Sequence, residues 1–137
     1  MKRVLVAVDD SAPALAAARL AMELATSTHC ELTFVAVREP EDHPHIEQVL
    51  AHVGKLAREA GVDATTELVV GSPPFELLLA AAKRTGADLI VMGRSDTRRP
   101  GMRHVGGQTE HVLEFSEVPV LVVPGPVPPA DRHQDQS

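Results

Sequence analysis

The chain has 137 residues, 44% of them hydrophobic and 23% charged, with a formal net charge of −6. That length holds one domain with a single sizeable core, and no apolar run is long enough to span a bilayer. The net negative charge argues against non-specific binding to nucleic acid, and with only three aromatics, Phe34, Phe75 and Phe115, stacking platforms are scarce.

Val4 to Val8 is a continuous apolar run met almost at once, without the charged and apolar regions of a signal peptide, so a cytoplasmic location is expected. Ser11 then caps a helix that carries Pro13 in its first turn and continues through an alanine-rich stretch to about Ala25. Cys30 is the only cysteine, which excludes an internal disulfide and a thiolate metal cluster. Leu32 to Val37 is a second strand-like run. From about His45 to Ala60, the residues Ile46, Val49, Leu50, Val53 and Leu56 recur at helical spacing.

Leu68 to Val70 gives a short third strand, and a third helix starts at Pro73 or Pro74 and runs to Arg84, with Gly86 as its stop signal. Leu89 to Met92 is the fourth strand. A long loop ends on the glycine pair Gly106-Gly107, and a fourth helix follows Gly107, a tolerated N-cap, with Glu110 placed to face the first-turn N–H groups. Val120 to Val123 is the fifth strand. Beyond it the composition turns to proline and then to polar residues, so 1–125 is expected to form the domain and 126–137 a disordered tail.

Strands without polar alternation are those covered on both faces, as in parallel sheets. Five of them alternating with four helices specify an α/β fold, a doubly wound five-stranded parallel sheet of Rossmann-like form with right-handed crossovers. In such sheets the ligand crevice lies beyond the carboxyl ends of the strands, where the strand order reverses. The loops after the first, second and fourth strands are therefore the ones to inspect.

Three chemistries common on this architecture find no support. The first turn, Val8-Asp9-Asp10-Ser11, has no glycine, which removes the dinucleotide fingerprint. A receiver domain would place an acceptor aspartate after the third strand and a lysine after the fifth, where Val70-Gly71-Ser72-Pro73 and Pro124 stand. A flavodoxin-like domain would need aromatics against the flavin. Ser11, Ser72, Ser95 and Ser116 lack the elbow that exposes a catalytic serine, so no catalytic residue is assigned and the chain reads as a binding protein before an enzyme. His45 and His52 are seven apart on one helix face, too distant to share one small ion comfortably, and with His43 they read as a solvated helix start, so no metal site is assigned. The loop after the fourth strand is different. It collects Arg94, Arg98, Arg99 and Arg103, and a glycine-rich loop that ends on a helix start suits phosphate.

In this order of motifs the chain resembles the universal stress protein family from Val4 to Val123. Val8, Asp9 and Ser11 match the family's opening, Gly71 and Pro74 precede the third helix, Asp88 to Gly93 match the fourth strand, and Pro119 to Val123 match its end. Nucleotide-binding members carry glycine, two residues, glycine, nine residues, then glycine and serine or threonine. Gly93 and Gly106 keep two of those positions, while Asp96 and Gly107 occupy the others. The resemblance implies the adenine nucleotide alpha hydrolase-like variant of the fold and an adenine nucleotide, ATP, in the crevice. Asp9 and the backbone of Val37 would hold adenosine, with Gly93, Gly106 and Gly107 at the phosphates.

The departures carry a cost. A carboxylate at Asp96 beside phosphate would cost about 1 to 4 kcal/mol, roughly a fivefold to nearly thousandfold loss of affinity, and the hydroxyl absent at Gly107 about 1 kcal/mol. Arg94 and Arg103 offset this as phosphate contacts, and a Mg2+ ion bridging Asp96 to phosphate would reverse the sign of the first effect. The alternative expectation is a family member that binds no nucleotide and works through protein partners. Either way the resemblance implies a homodimer, and Val120 to Val123, if at a sheet edge, gives a physical reason for one.

Overall fold

The computed structural model describes residues 1–40, 45–94 and 107–125. Five strands and four helices alternate along the chain: β1 (Arg3–Val8), α1 (Ala12–Thr28), β2 (Glu31–Arg38), α2 (His45–Glu59), β3 (Ala64–Val70), α3 (Pro74–Thr85), β4 (Leu89–Gly93), α4 (Gln108–Phe115) and β5 (Val120–Val123). The strands form one parallel sheet in the order β3-β2-β1-β4-β5, with Val6 of β1 paired to Phe34 on one side and Val91 on the other. Successive side chains of each strand go to opposite faces. Val4, Val6, Leu32, Phe34 and Ala36 pack under α1 and α2, while Leu5, Val35, Ile90 and Met92 pack under α3 and α4. Both faces are covered, which is why the strands carry no polar alternation.

The strand order reverses between β1 and β4, so the connections leaving their carboxyl ends go to opposite faces of the sheet and open the crevice expected there. At the other end the sheet is bolted shut. Asp88 Oδ2 accepts the backbone N–H groups of Lys2 and Arg3 at 2.8 and 2.9 Å, and these hold its carboxyl below the usual carboxylate range. Asp88, a family-motif residue, thus joins β4 to β1 at the end of the sheet away from the crevice.

Two boundaries differ from the expected ones, each for a local reason. The third strand begins at Ala64 rather than Leu68, because β3 is an edge strand whose Thr65 and Thr66 are exposed to solvent, so its first half carries no apolar run. Helix α1 runs past Ala25 to Thr28, where the Thr26 and Thr28 hydroxyls donate back to the Met22 and Leu24 carbonyls at 2.9 and 2.7 Å. His29 then ends the helix in the left-handed conformation (φ 60°), donating its N–H to the Ala25 carbonyl. Gly86 does the same for α3 at φ 68°, as its place in the sequence predicts.

Candidate functional site

A cleft of about 250 Å³ lies over the carboxyl ends of β1, β2 and β4. Its floor is the α3/α4 face of the sheet, from Ala7, Val35, Val37 and Met92, and Pro74 and Leu78 of α3 with Gln108 of α4 form the opposite wall. Asp9, Val37 and Gly93, each predicted from the sequence, meet in this one cleft from three different strands.

Asp9 sits just past β1, where its Oδ1 accepts the Ser11 N–H at 2.8 Å, and Ser11 Oγ in turn accepts the Ala14 N–H at 3.2 Å to start α1. The turn therefore employs one carboxylate oxygen structurally and presents the residue at the cleft mouth. Val37 packs its side chain among the α3-side apolar residues. Its backbone is the more informative part. Arg38 gives its carbonyl to Gly71 N–H on the β3 side, and successive peptide groups of a parallel strand turn to alternate neighbours, so the Val37 carbonyl turns toward β1. There the pairing has already ended at Val8 with Ala36, and the carbonyl faces the crevice rather than a ladder partner.

The loop end of the site is built by β4 and α4. Arg94 continues the pairing past Gly93 by donating its N–H to the Val123 carbonyl at 2.8 Å. Gly107 is the N-cap of α4 (φ −73°, ψ 169°), and its carbonyl accepts from the His111 N–H and from His111 Nδ1. Thr109 is buried and donates its hydroxyl to the Gly93 carbonyl at 3.1 Å, fastening α4 to the end of β4. Asp96, Arg103 and Gly106, with Arg98 and Arg99, lie outside the described residues.

Residues 1–124 match the model of the universal stress protein family. The chain belongs to that family. It is similar to a universal stress protein of Methanocaldococcus jannaschii, 39% identical over 82 residues; the match covers 58% of this chain and only 46%, about half, of that protein's length. It is also similar to one of Thermus aquaticus, 32% identical over 134 residues that cover 89% of this chain and 98% of that protein. Among solved structures, a universal stress protein in complex with cAMP superposes with a TM-score of 0.76 at 28% identity, covering 89% of this chain and 95% of that chain.

With the family in hand, Gly93 takes on a second meaning. A Cβ there would stand 2.4 Å from the carbonyl carbon of Pro13 and 2.5 Å from Ala14 N, so this universal stress protein needs glycine at 93 for α1 to reach the sheet, whatever the cleft holds. Two polar cleft residues escaped the sequence reading. Glu39, two residues beyond Val37, lines the cleft and accepts the Ser72 hydroxyl at 3.2 Å. Gln108 lines it from α4, its Oε1 accepting the Phe75 N–H at 2.8 Å. That bond caps α3, whose own N-cap, Pro73, has no side-chain acceptor. The signal for Gln108 was its place directly after Gly107 in a helix start at the crevice.

A second hollow beside the first holds His45, His52 and Asp10 between α1 and α2, with His45 Nε2 2.9 Å from Asp10 Oδ2. Among the described residues no three of His, Cys, Asp and Glu are placed to hold a metal ion, and no helix is long and apolar enough to cross a membrane.

Proposed function

We propose that this universal stress protein binds an adenine nucleotide in the cleft over β1, β2 and β4. The observation that carries the reading is the convergence of Asp9, Val37 and Gly93 at the reversal of strand order. Crossing that point, a purine lies against Val35 and Val37, its amine given to the Val37 carbonyl, and a ribose hydroxyl goes to Asp9. Phosphates then extend past Gly93 toward Gly107, with Arg94 and, by the sequence motif, Gly106, Arg103 and a Mg2+ ion on Asp96 as their contacts. The similarity to a protein solved with cAMP supports an adenine ligand. Among the described residues the polar side chains of the cleft are Asp9, Glu39 and Gln108, and the reading is of a protein that holds a nucleotide.

The family match ends at residue 124, which supports 1–125 as the domain and 126–137 as an appendage to it. Homodimerisation belongs to the same proposal: β5 is a sheet edge of four apolar residues with Leu121 36% exposed, a surface that favours pairing with a second copy. A cytoplasmic setting agrees with a net charge of −6 and a single cysteine. Calorimetric titration of the protein with ATP and AMP, with and without Mg2+, tests the reading. Micromolar binding is the expected result. No heat up to millimolar nucleotide would retire it and leave association through the β5 edge as the function to pursue.

A further inference from the structure

Three polar side chains line the cleft among the described residues: Asp9, Glu39 and Gln108. Two are carboxylates, which when ionised only accept hydrogen bonds. Gln108 is the one with N–H groups to give. The chemistry of its partner fixes which way its carboxamide points. The Phe75 N–H, 2.8 Å away, can only donate, so Oε1 faces α3. With Oε1 held by α3, Nε2 is the carboxamide atom left to serve the cleft that the Gln108 side chain lines.

The mounting is rigid on both sides. Thr109, the next residue, is tied to the Gly93 carbonyl at 3.1 Å, and the ring of Phe75 stacks on His111 one turn further along α4 with centroids 4.6 Å apart. A donor held in this way binds without first losing rotamer freedom.

We propose that Gln108 is a ligand-contacting residue, its Nε2 donating to a phosphate oxygen of the bound nucleotide in place of the hydroxyl that Gly107 lacks. The inference rests on the nucleotide reading above and assigns the ends of the ligand within it. Ligand donors, the ribose hydroxyls and the purine amine, go to Asp9, Glu39 and the Val37 carbonyl. Phosphate is repelled from both carboxylates and is left with the α4 wall, where Gln108 adds a neutral side-chain donor to the cationic ones of Arg94 and Arg103.

The test compares adenosine with AMP by calorimetry in the full chain and two variants. Gln108→Glu keeps an acceptor for the Phe75 N–H and so preserves the cap of α3, but has no donor for phosphate. Gln108→Met removes the donor without adding charge, so a change common to both variants is not the field of a new carboxylate. In each variant the ratio of AMP to adenosine affinity is expected to fall about tenfold or more, as for a lost hydrogen bond to a charged group. Adenosine affinity stays within about twofold of the parent. An unchanged ratio in Gln108→Met, or equal weakening of both ligands, overturns the assignment of Gln108 to phosphate. A parent protein that binds neither ligand overturns the nucleotide reading itself, and this inference with it.

Discussion

Gly93→Ala separates the two roles that position 93 could serve. The added Cβ would lie 2.4 Å from the Pro13 carbonyl carbon, 2.5 Å from Ala14 N and 2.7 Å from the Pro13 oxygen. Carbon contacts settle at about 3.5 to 4.0 Å, and all three neighbours are backbone, so no rotamer change relieves the overlap. The first turn of α1 must retreat by roughly 1 Å. That turn holds the Ser11 cap on Ala14 N and, through Asp9, the start of the helix. Overpacking costs about 1 to 3 kcal/mol and a disturbed N-cap about 1 kcal/mol, so a loss of about 3 kcal/mol is expected in the ligand-free protein. For a chain of 137 residues that lowers the Tm by roughly 10 °C. Urea denaturation without nucleotide measures it, with an unchanged m-value as the sign that the denatured state is unaffected. Gly86→Ala is the comparison: φ is 68° and the nearest atom is the tip of Arg3 at 3.1 Å, so only about 1 kcal/mol is at stake. A Gly93→Ala protein as stable as the parent but unable to bind nucleotide would refute the packing argument and make the glycine a phosphate-loop residue alone.

Asp88→Asn tests the bolt between β4 and β1. Because the Lys2 and Arg3 N–H groups lower the folded-state pKa of Asp88, its contribution is complete above the unfolded value near pH 4 and disappears as pH falls through the lower folded one. The parent should therefore be the more stable protein at pH 7, with the gap closing below about pH 4; a pH-independent gap in urea midpoints would contradict this. His29→Gly removes a side chain from a left-handed cap at φ 60° and should raise stability by about 1 kcal/mol, seen as a Tm higher by roughly 3 °C; a lower Tm would show that the imidazole has a role of its own. Leu121→Lys places a charge on the exposed edge of β5 and, if the proposed dimer forms through that edge, leaves the variant monomeric by light scattering where the parent is dimeric; a monomeric parent refutes the dimer, and an unaltered dimer moves the interface elsewhere.

The sequence makes the interior legible and the surface only in part, for a reason visible in the strands themselves. β1, β2 and β4 are covered on both faces, so burial leaves a continuous apolar run to be read. β3 is an edge, and its Thr65 and Thr66 face water, which erases half of the same signal. Helix ends follow a similar logic. Gly86 announces the end of α3 because glycine enters the left-handed region freely, while His29 enters it under tertiary pressure that no local pattern records.

Within the cleft, Asp9, Val37 and Gly93 were found through motifs at fixed positions relative to strand ends, and each has an independent structural duty: an Asx turn, core packing and clearance for α1. Motif and duty coincide at these positions, so the fold alone is enough to retain them. Glu39 and Gln108 differ. Each is tied to the start of α3, through Ser72 just before it and Phe75 within it, and they reach the cleft from the end of β2 and from the start of α4, which Thr109 fastens to the end of β4, only because β2 and β4 flank β1 in the sheet. The sheet order, which no short motif encodes, decides their meeting, and the ligand preferences peculiar to this chain are therefore to be sought in those two side chains rather than in the glycines.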